Sequence, residues 1–282
     1  MIEVKKKNKK LKKIFIIVGS IFLVLVISFL FLLYGPYSGF RDFLITSSMT
    51  TKSHQYIAKF FYSDKTIDKV LKKNGIIEGD KSTDTNLINI KKKKKSKTYK
   101  NEYEKQILDR SENESLYKVI NVSGKTYQGY LVAIYDPSRV GIATTRYLGV
   151  RGEAIDNVAK RYGAVVAMNA GGFYDPDWNS NGALPHGIVI ENGKVVSEYA
   201  KANVGGGMVG FTNDNKLVLG KFSKREALNM GIRDAVEFGP FLIINGEASK
   251  VLGNGGWGIA PRTAIGQRQD GIVLFLIING RI

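Results

Sequence analysis

Residues Ile14 to Tyr34, IFIIVGSIFLVLVISFLFLLY, form one unbroken uncharged stretch. Its length matches the roughly 20 residues a helix needs to cross the hydrocarbon core of a bilayer, so it predicts a membrane-spanning helix. Lys5, Lys6, Lys7, Lys9, Lys10, Lys12 and Lys13 precede it, and under the positive-inside rule they keep the N-terminus cytoplasmic and send the rest of the chain outward. Tyr34 and Tyr37 suit the far interface, where aromatic rings collect. A cleavable signal peptide starts in the same way, but with a shorter apolar core and small residues at a cut site. Here the run is long, exits into Gly35-Pro36-Tyr37 and is followed by no A-x-A-like site, so an uncleaved anchor is expected. Both routes export the body. With no cysteine in the chain, that body must stand on its core without disulfides.

The formal net charge is +17, which invites a nucleic-acid reading. Its placement argues against one. Residues 1–100 carry 22 Lys+Arg against 7 acids, and residues 101–282 carry 20 against 18. The excess lies in two clusters, Lys5 to Lys13 and Lys91 to Lys100, whereas a nucleic-acid-binding domain needs its phosphate-neutralising groups on the folded body.

After the anchor, Tyr56, Ile57, Phe60, Phe61, Ile67, Val70 and Leu71 recur at near-helical spacing, which predicts two short helices with Ser63 or Asp64 capping the second and Asn74-Gly75 ending it. Gly79 to Lys100 is polar and charge-blocked, as in a solvated linker. The reading along the chain is therefore a basic cytoplasmic segment (1–13), an anchor (14–34), a helical juxtamembrane region (35–78), a charged linker (79–116) and a body (117–282). Strand-like runs fill the body at 117–122, 127–135, 164–168, 187–190, 195–199, 216–219, 241–244 and 272–278, interrupted by helices at 153–161 and 224–230. Asn192-Gly193 and Asn245-Gly246 read as hairpin turns. The fold class expected is α+β, a strand-rich mixed-sheet domain with few helices behind one N-terminal transmembrane helix.

Four glycine-rich stretches stand out, at 167–187, 203–210, 237–247 and 253–271. Glycines allow close approach to the main chain, and they also serve ordinary turns. In the first stretch Asn169, Gly171 and Gly172 follow the apolar run AVVAM, where a strand end delivers polar groups to a rim. Phe173, Tyr174 and Trp178 with Asp175 and Asp177 mix aromatic faces and acceptors, which suits sugar rings and hydroxyls. His186 has the pKa for proton transfer, although a lone histidine is more often a packing residue. Arg262 beside Thr263 pairs a guanidinium with a hydroxyl, which suits a phosphate oxyanion. Glu237 and Asp175 are the local candidates for acid or base, with Glu153, on the face of its helix opposite the apolar stripe, as a third. No P-loop or dinucleotide fingerprint is present. Scattered histidines without cysteine argue against zinc, and no metal or cofactor is expected.

NAGGF, FGPFLIINGE and APRTAIGQRQDG, in this order and spacing, resemble the phosphodiester glycosidase family, whose bacterial members are often described as exopolysaccharide biosynthesis proteins. The resemblance covers about residues 117–282. It implies hydrolysis of a sugar-1-phosphate diester in an exported glycan or surface polymer. Asn169, Gly171 and Gly172 match the family's NGGF-type segment, Gly239 and Pro240 its glycine-proline turn, and Arg262 and Thr263 its RTA segment, where the Arg looks like the phosphate-binding group. Where the family has Asp-Gly-Arg, this chain has Asn279-Gly280-Arg281. Family members continue with a helix and an L-D-G-G-G-S-like segment that supplies an acidic residue, so the resemblance also implies a C-terminally truncated domain.

The expected function is thus a membrane-anchored extracytoplasmic hydrolase of sugar-1-phosphodiesters. Its catalytic candidates are Arg262, Asn169 and Glu237, and its substrate-binding candidates are Gly171, Gly172, Thr263, Asp175 and His186. The competing readings are a non-catalytic glycan-binding or exopolysaccharide accessory protein using the same surface, and a tethered scaffold in which the glycines are turn elements only.

Overall fold

The computed structural model describes residues 2–51, 54–79, 81–90, 98–110, 116–175, 180–199 and 206–280. The chain divides into two compact units, residues 1–75 with 251–258, and residues 76–250 with 259–282.

The first unit is helical. Its long helix α1 (Ile2–Tyr34) contains a stretch, Lys12–Tyr34, long and apolar enough to cross a membrane. Three short helices follow: α2 (Ser38–Met49), α3 (Gln55–Phe61) and α4 (Asp64–Lys73). The Ser63 hydroxyl caps α4 by accepting from the Thr66 amide, as its sequence position suggested. Leu33, Ile45, Ala58, Tyr62, Ile67 and Val70 bury one small core. Beside it the Asp42 carboxylate accepts from Arg41 at 3.1 Å and Lys73 at 3.0 Å, and the Asn74 amide stands 3.5 Å away. Burial alone would raise the pKa of Asp42, but these donors outweigh it and hold the carboxyl below its ordinary value. The α2 helix was not apparent from the sequence. Its polar Thr46 and Ser48 turn back to bond Asp42 and Leu44 carbonyls at 2.8 and 2.6 Å, which hides them from a search for apolar periodicity.

The second unit is built on two antiparallel sheets. The four-stranded sheet runs β10-β11-β2-β1, from β1 (Tyr117–Ser123), β2 (Gln128–Ile134), β10 (Arg262–Gln267) and β11 (Val273–Asn279). The five-stranded sheet runs β4-β3-β7-β5-β6, from β3 (Gly187–Glu191), β4 (Lys194–Tyr199), β5 (Gly207–Thr212), β6 (Leu217–Gly220) and β7 (Ile232–Phe238). A minimal hairpin joins β8 (Ile243–Ile244) to β9 (Glu247–Ala248). Val132, Ile134, Val209, Phe211, Leu217, Val273 and Phe275 form the largest core and draw on both sheets. Helix α5 (Glu102–Leu108) sets Ile107 against Ile120 and Ala133, α6 is Ile155–Tyr162, and α7 (Lys224–Asn229) opens with a Ser223–Glu226 capping box. The α+β class is as the sequence implied. Both hairpin turns hold: Asn192 and Gly193 have φ of 51° and 74°, and Asn245 and Gly246 have 54° and 83°, the pair of positive φ values that a type I′ turn requires.

Three sequence expectations are corrected. Ala164 to Met168 forms no strand: Val165 is 70% exposed and the run joins no ladder among the described residues. β-Branched content favours a strand only where cross-strand neighbours exist. The run expected at 241–244 shrinks to β8, while β5, β7 and β10 were missed because glycines and charges interrupt their alternation. The supposed linker is also partly laid down on the body. The Thr83 amide donates to the Leu219 carbonyl at 2.9 Å, Asp84 to Asn245 at 2.7 Å and Asn89 to Gln269 at 2.7 Å, so polarity here serves main-chain pairing. Lys91 to Lys97 lie outside the described residues.

Candidate functional site

The strand β10 and the segment after Met168 are 94 positions apart in sequence, yet the Thr263 hydroxyl donates to Asn169 Oδ1 at 3.2 Å. Strand alternation gives Thr263 the same face as Ile265, which packs on the main core. Asn169 is therefore reached at the rim of that core, in the position of a polar group delivered to an edge.

A third segment, the end of β7, closes on the same glycines. A Cβ built on Gly171 would stand 3.4 Å from Val236, and one on Gly172 would stand 3.3 Å from the His186 ring. The His186 amide donates to the Gly172 carbonyl at 2.9 Å, and the Tyr174 amide to Leu184 at 2.7 Å. These bonds make a short two-armed ribbon in which Phe173 bridges Pro185. Glu237 is buried at the base, its Oε2 accepting from the Ile188 amide at 3.3 Å. Gly187 makes that approach possible. It has φ +67°, and a Cβ there would fall 1.9 Å from Glu237 Oε2.

The structure thus brings together Asn169, Gly171, Gly172, His186, Glu237 and Thr263. Arg262 occupies the first position of β10, exposed, with its Nη1 donating to the Pro261 carbonyl at 3.3 Å. Strand alternation gives it the face opposite Thr263. Asp175 turns toward its own loop, where it accepts from the Ser180 amide at 2.7 Å. Trp178 and Asp177 lie outside the described residues. Tyr174 packs its ring near Tyr199 at 5.1 Å and His186 at 6.3 Å.

Glu153 is corrected in place and in character. It precedes α6, because Ala154 at the helix N-cap is extended (φ −63°, ψ 141°). Its side chain is only 6% exposed and pairs with Arg146 at 3.3 Å and Arg161 at 3.1 Å. Desolvation pushes its pKa up, but the Arg146 amide and the two guanidinium groups prevail and hold it below its ordinary value. A carboxylate locked in this way is a brace for the loop.

A cleft of about 1220 Å³ lies beside the ribbon, lined in part by Asn169, Gly171, His186, Thr144, Tyr162 and Val158. At its wall is a group the sequence reading missed. Glu191 accepts from the Thr144 hydroxyl at 2.7 Å and from the Tyr162 hydroxyl. The Glu191 bond, then burial, hold the Tyr162 phenol above the ordinary tyrosine range. The one signal for it was a carboxylate ending the otherwise apolar strand GIVIE. Among the described residues no three His, Asp or Glu side chains cluster so as to hold a metal ion.

Comparison with known proteins finds likenesses that cover this constellation. The model of the family described as phosphodiester glycosidase matches residues 162–282. The SPbeta prophage-derived uncharacterized protein YomE of Bacillus subtilis (strain 168) is 28% identical over 181 residues, a span of 58% of this chain and 27% of the relative. The chain therefore spans about a quarter of that relative's length. Among solved structures, the zebrafish N-acetylglucosamine-1-phosphodiester alpha-N-acetylglucosaminidase catalytic domain, auto-inhibited by its pro-peptide, is similar with a TM-score of 0.43 and 21% identity, covering 58% of this chain and 60% of that one. The matched residues include the NAGGF, FGPF and PRTA segments that meet around Asn169, Glu237 and Thr263, so over residues 162–282 the chain is similar to the phosphodiester glycosidase family.

Proposed function

We propose that this protein is a membrane-anchored hydrolase of phosphodiester-linked sugars, with residues 1–13 cytoplasmic, 14–34 in the membrane and the strand-rich body outside the cell. The observation that carries the catalytic part is the Thr263 to Asn169 hydrogen bond of 3.2 Å, which joins two of the family's motifs across 94 positions. In this reading Asn169 and Thr263 offer polar groups to the sugar phosphate, and the open main chain at Gly171 and Gly172 allows it close approach. Arg262 meets the phosphate charge from the strand end, and Glu237 or His186 handles the proton as the sugar leaves. Such preorganised donors act on the charge that develops in the transition state. An exported glycan or surface polymer is the substrate class.

The test is hydrolysis of a synthetic N-acetylglucosamine-1-phospho-sugar by the full chain in detergent. Loss of either partner in Asn169→Ala or Thr263→Val should lower turnover by about 10²-fold, the scale of one lost transition-state donor. Hydrogen exchange across β10 and β11 checks that the sheet is intact. Variants as active as the wild type, or a wild type that releases no product, would overturn the reading.

A second reading, glycan binding without turnover, is favoured by the stacked Tyr174, Tyr199 and His186 rings, since aromatic faces suit sugar rings. An inert wild type that is retained on the glycan, and loses retention in Tyr174→Ala, would establish it.

A further inference from the structure

The end of α1 is not bare. Phe61, the last residue of α3, sets its ring edge-on to Phe29 with centroids 5.9 Å apart, and Tyr62 stands 5.9 Å from Tyr34. Two hydrogen bonds fix the same contact. The Tyr62 hydroxyl donates to the Leu33 carbonyl at 3.0 Å, and the Tyr34 hydroxyl donates to the Phe61 carbonyl at 3.0 Å. Phe29 precedes Tyr34 by five residues, about 7.5 Å along a helix. The C-terminal end of α3 therefore lies alongside the last apolar turns of α1, inside Lys12–Tyr34, and not beyond its tip.

The exposed positions of α3 are Tyr56, Phe60 and one charge, Lys59, whose long stem can carry its ammonium to the headgroups. Tyr56 and Phe60 are four residues apart, so they share one helix face, and they are 66% and 80% exposed. Phe60 also meets Phe61 edge-on at 4.9 Å. Tyr34 and Tyr37, at the end of α1, are 59% and 62% exposed. The next helix has the opposite character. The exposed positions of α4 are Asp64, Lys65, Asp68, Lys69, Lys72 and Lys73, a face for water. The division between the two helices is what the boundary region of a bilayer selects, with rings placed among headgroups and upper acyl chains and charges kept outside.

We infer that α3 is an interfacial helix that seats Tyr56 and Phe60 in the lipid headgroup and upper acyl layer beside the end of the span, giving the anchor a second, lateral lipid contact. The occupant of the exposed aromatic face is lipid, because that face continues the apolar surface of α1 through the Phe29–Phe61 contact. Hydrogen-bonded at Leu33 and Phe61, this collar would fix the rotation and tilt of α1, quantities that interfacial anchors set. The inference rests on the reading of α1 as a membrane span.

The absence of cysteine permits a direct test by single-site spin labels on the full chain, reconstituted into phosphatidylcholine vesicles containing phosphatidylglycerol. Leu23→Cys reports the span, Phe60→Cys and Tyr56→Cys report the collar, and Lys69→Cys reports the water-facing α4. Collision with oxygen, which partitions into lipid, is compared with collision with a water-soluble nickel chelate. The expected oxygen-to-nickel ratio is highest at 23, several-fold above that of 69 at both 56 and 60, and lowest at 69. A lipid-protected label at 23 together with labels at 56 and 60 as open to nickel as the label at 69 would overturn the collar and leave the span standing. A label at 23 exposed to nickel would overturn the span itself, and the collar with it.

Discussion

The five-stranded sheet and the segment 141–172 border the same cleft but are held by different means. In the sheet, Ile190, Met208, Val218 and Ala235 are fully buried and every strand is paired. In the segment, Val150 is 71% exposed, Val165 70% and Ile155 46%. Beyond Val166 and Met168, which pack on the main core, its ties are polar: Gly149 and Gly152 amides to the Ala183 and Asn181 carbonyls at 3.0 and 2.7 Å, Arg161 to the Thr144 carbonyl at 2.5 Å, and the Glu153 ion pairs. Asn169, Gly171 and Gly172 belong to the second region and Glu237 to the first. A recognition site commonly hangs a poorly packed arm from a rigid scaffold, and such arms open at lower free energy than the sheet that carries them.

The largest effect expected from this contrast is in the core. Phe275 is 9% exposed and packs within the main cluster, so Phe275→Ala should cost about 3–5 kcal/mol in a denaturant titration of the full chain in detergent. Val165→Ala removes an apolar side chain of the arm, and should cost less than about 0.5 kcal/mol. Comparable losses at both positions would mean that the arm carries a core of its own, and the contrast would fall.

The same contrast explains how much could be read from the sequence. The apolar runs behind β1, β2, β3, β4, β6 and β11 were legible because alternation or β-branched runs report burial directly, and both Asn-Gly turns were legible because only a few residue pairs accept two positive φ values. AVVAM carried the same signal and is irregular, since sequence reports the appetite of a run for neighbours and not their presence. The meeting of Asn169 with Thr263 was implied only by the order of three motifs. The Glu191–Tyr162–Thr144 group left only the carboxylate ending GIVIE as a trace, because its members are 47 and 29 positions apart. Glu153 was misplaced for a local reason: the helix begins two residues later than its apolar spacing suggested.

Within the sheet, at the base of the site, one contact depends on a missing side chain. Gly187→Ala places a Cβ against the Glu237 carboxylate at a backbone angle that only glycine adopts easily. It should cost about 2 kcal/mol from backbone strain and displaced packing. If the proposed function holds, it should also lower turnover of the phosphodiester, because Glu237 must shift. A variant that keeps wild-type stability and activity would show that Glu237 is free to move, and that the base of the site is less rigid than the sheet to which it belongs.

The smallest effect concerns the arm alone and sharpens the contrast by pH. The folded pKa of Glu153 lies below its ordinary value, so the folded state favours the ionised form. The stabilisation from its pairs is fully present above the unfolded glutamate pKa of about 4.3 and is lost as pH falls through the folded value. Hydrogen exchange, corrected for intrinsic rates, should show protection of the amides between Thr144 and Arg161 declining below about pH 4.3. Glu153→Gln should remove that decline by lowering protection at neutral pH. Because both arginines are partly exposed and screened by salt, the change should be modest and shrink as ionic strength rises. Protection across β3, β5 and β7 should not differ between the two proteins at any pH. If the variant loosened those strands as much as the arm, Glu153 would be a support for the sheet, and the two regions would not be separable in the way their packing indicates.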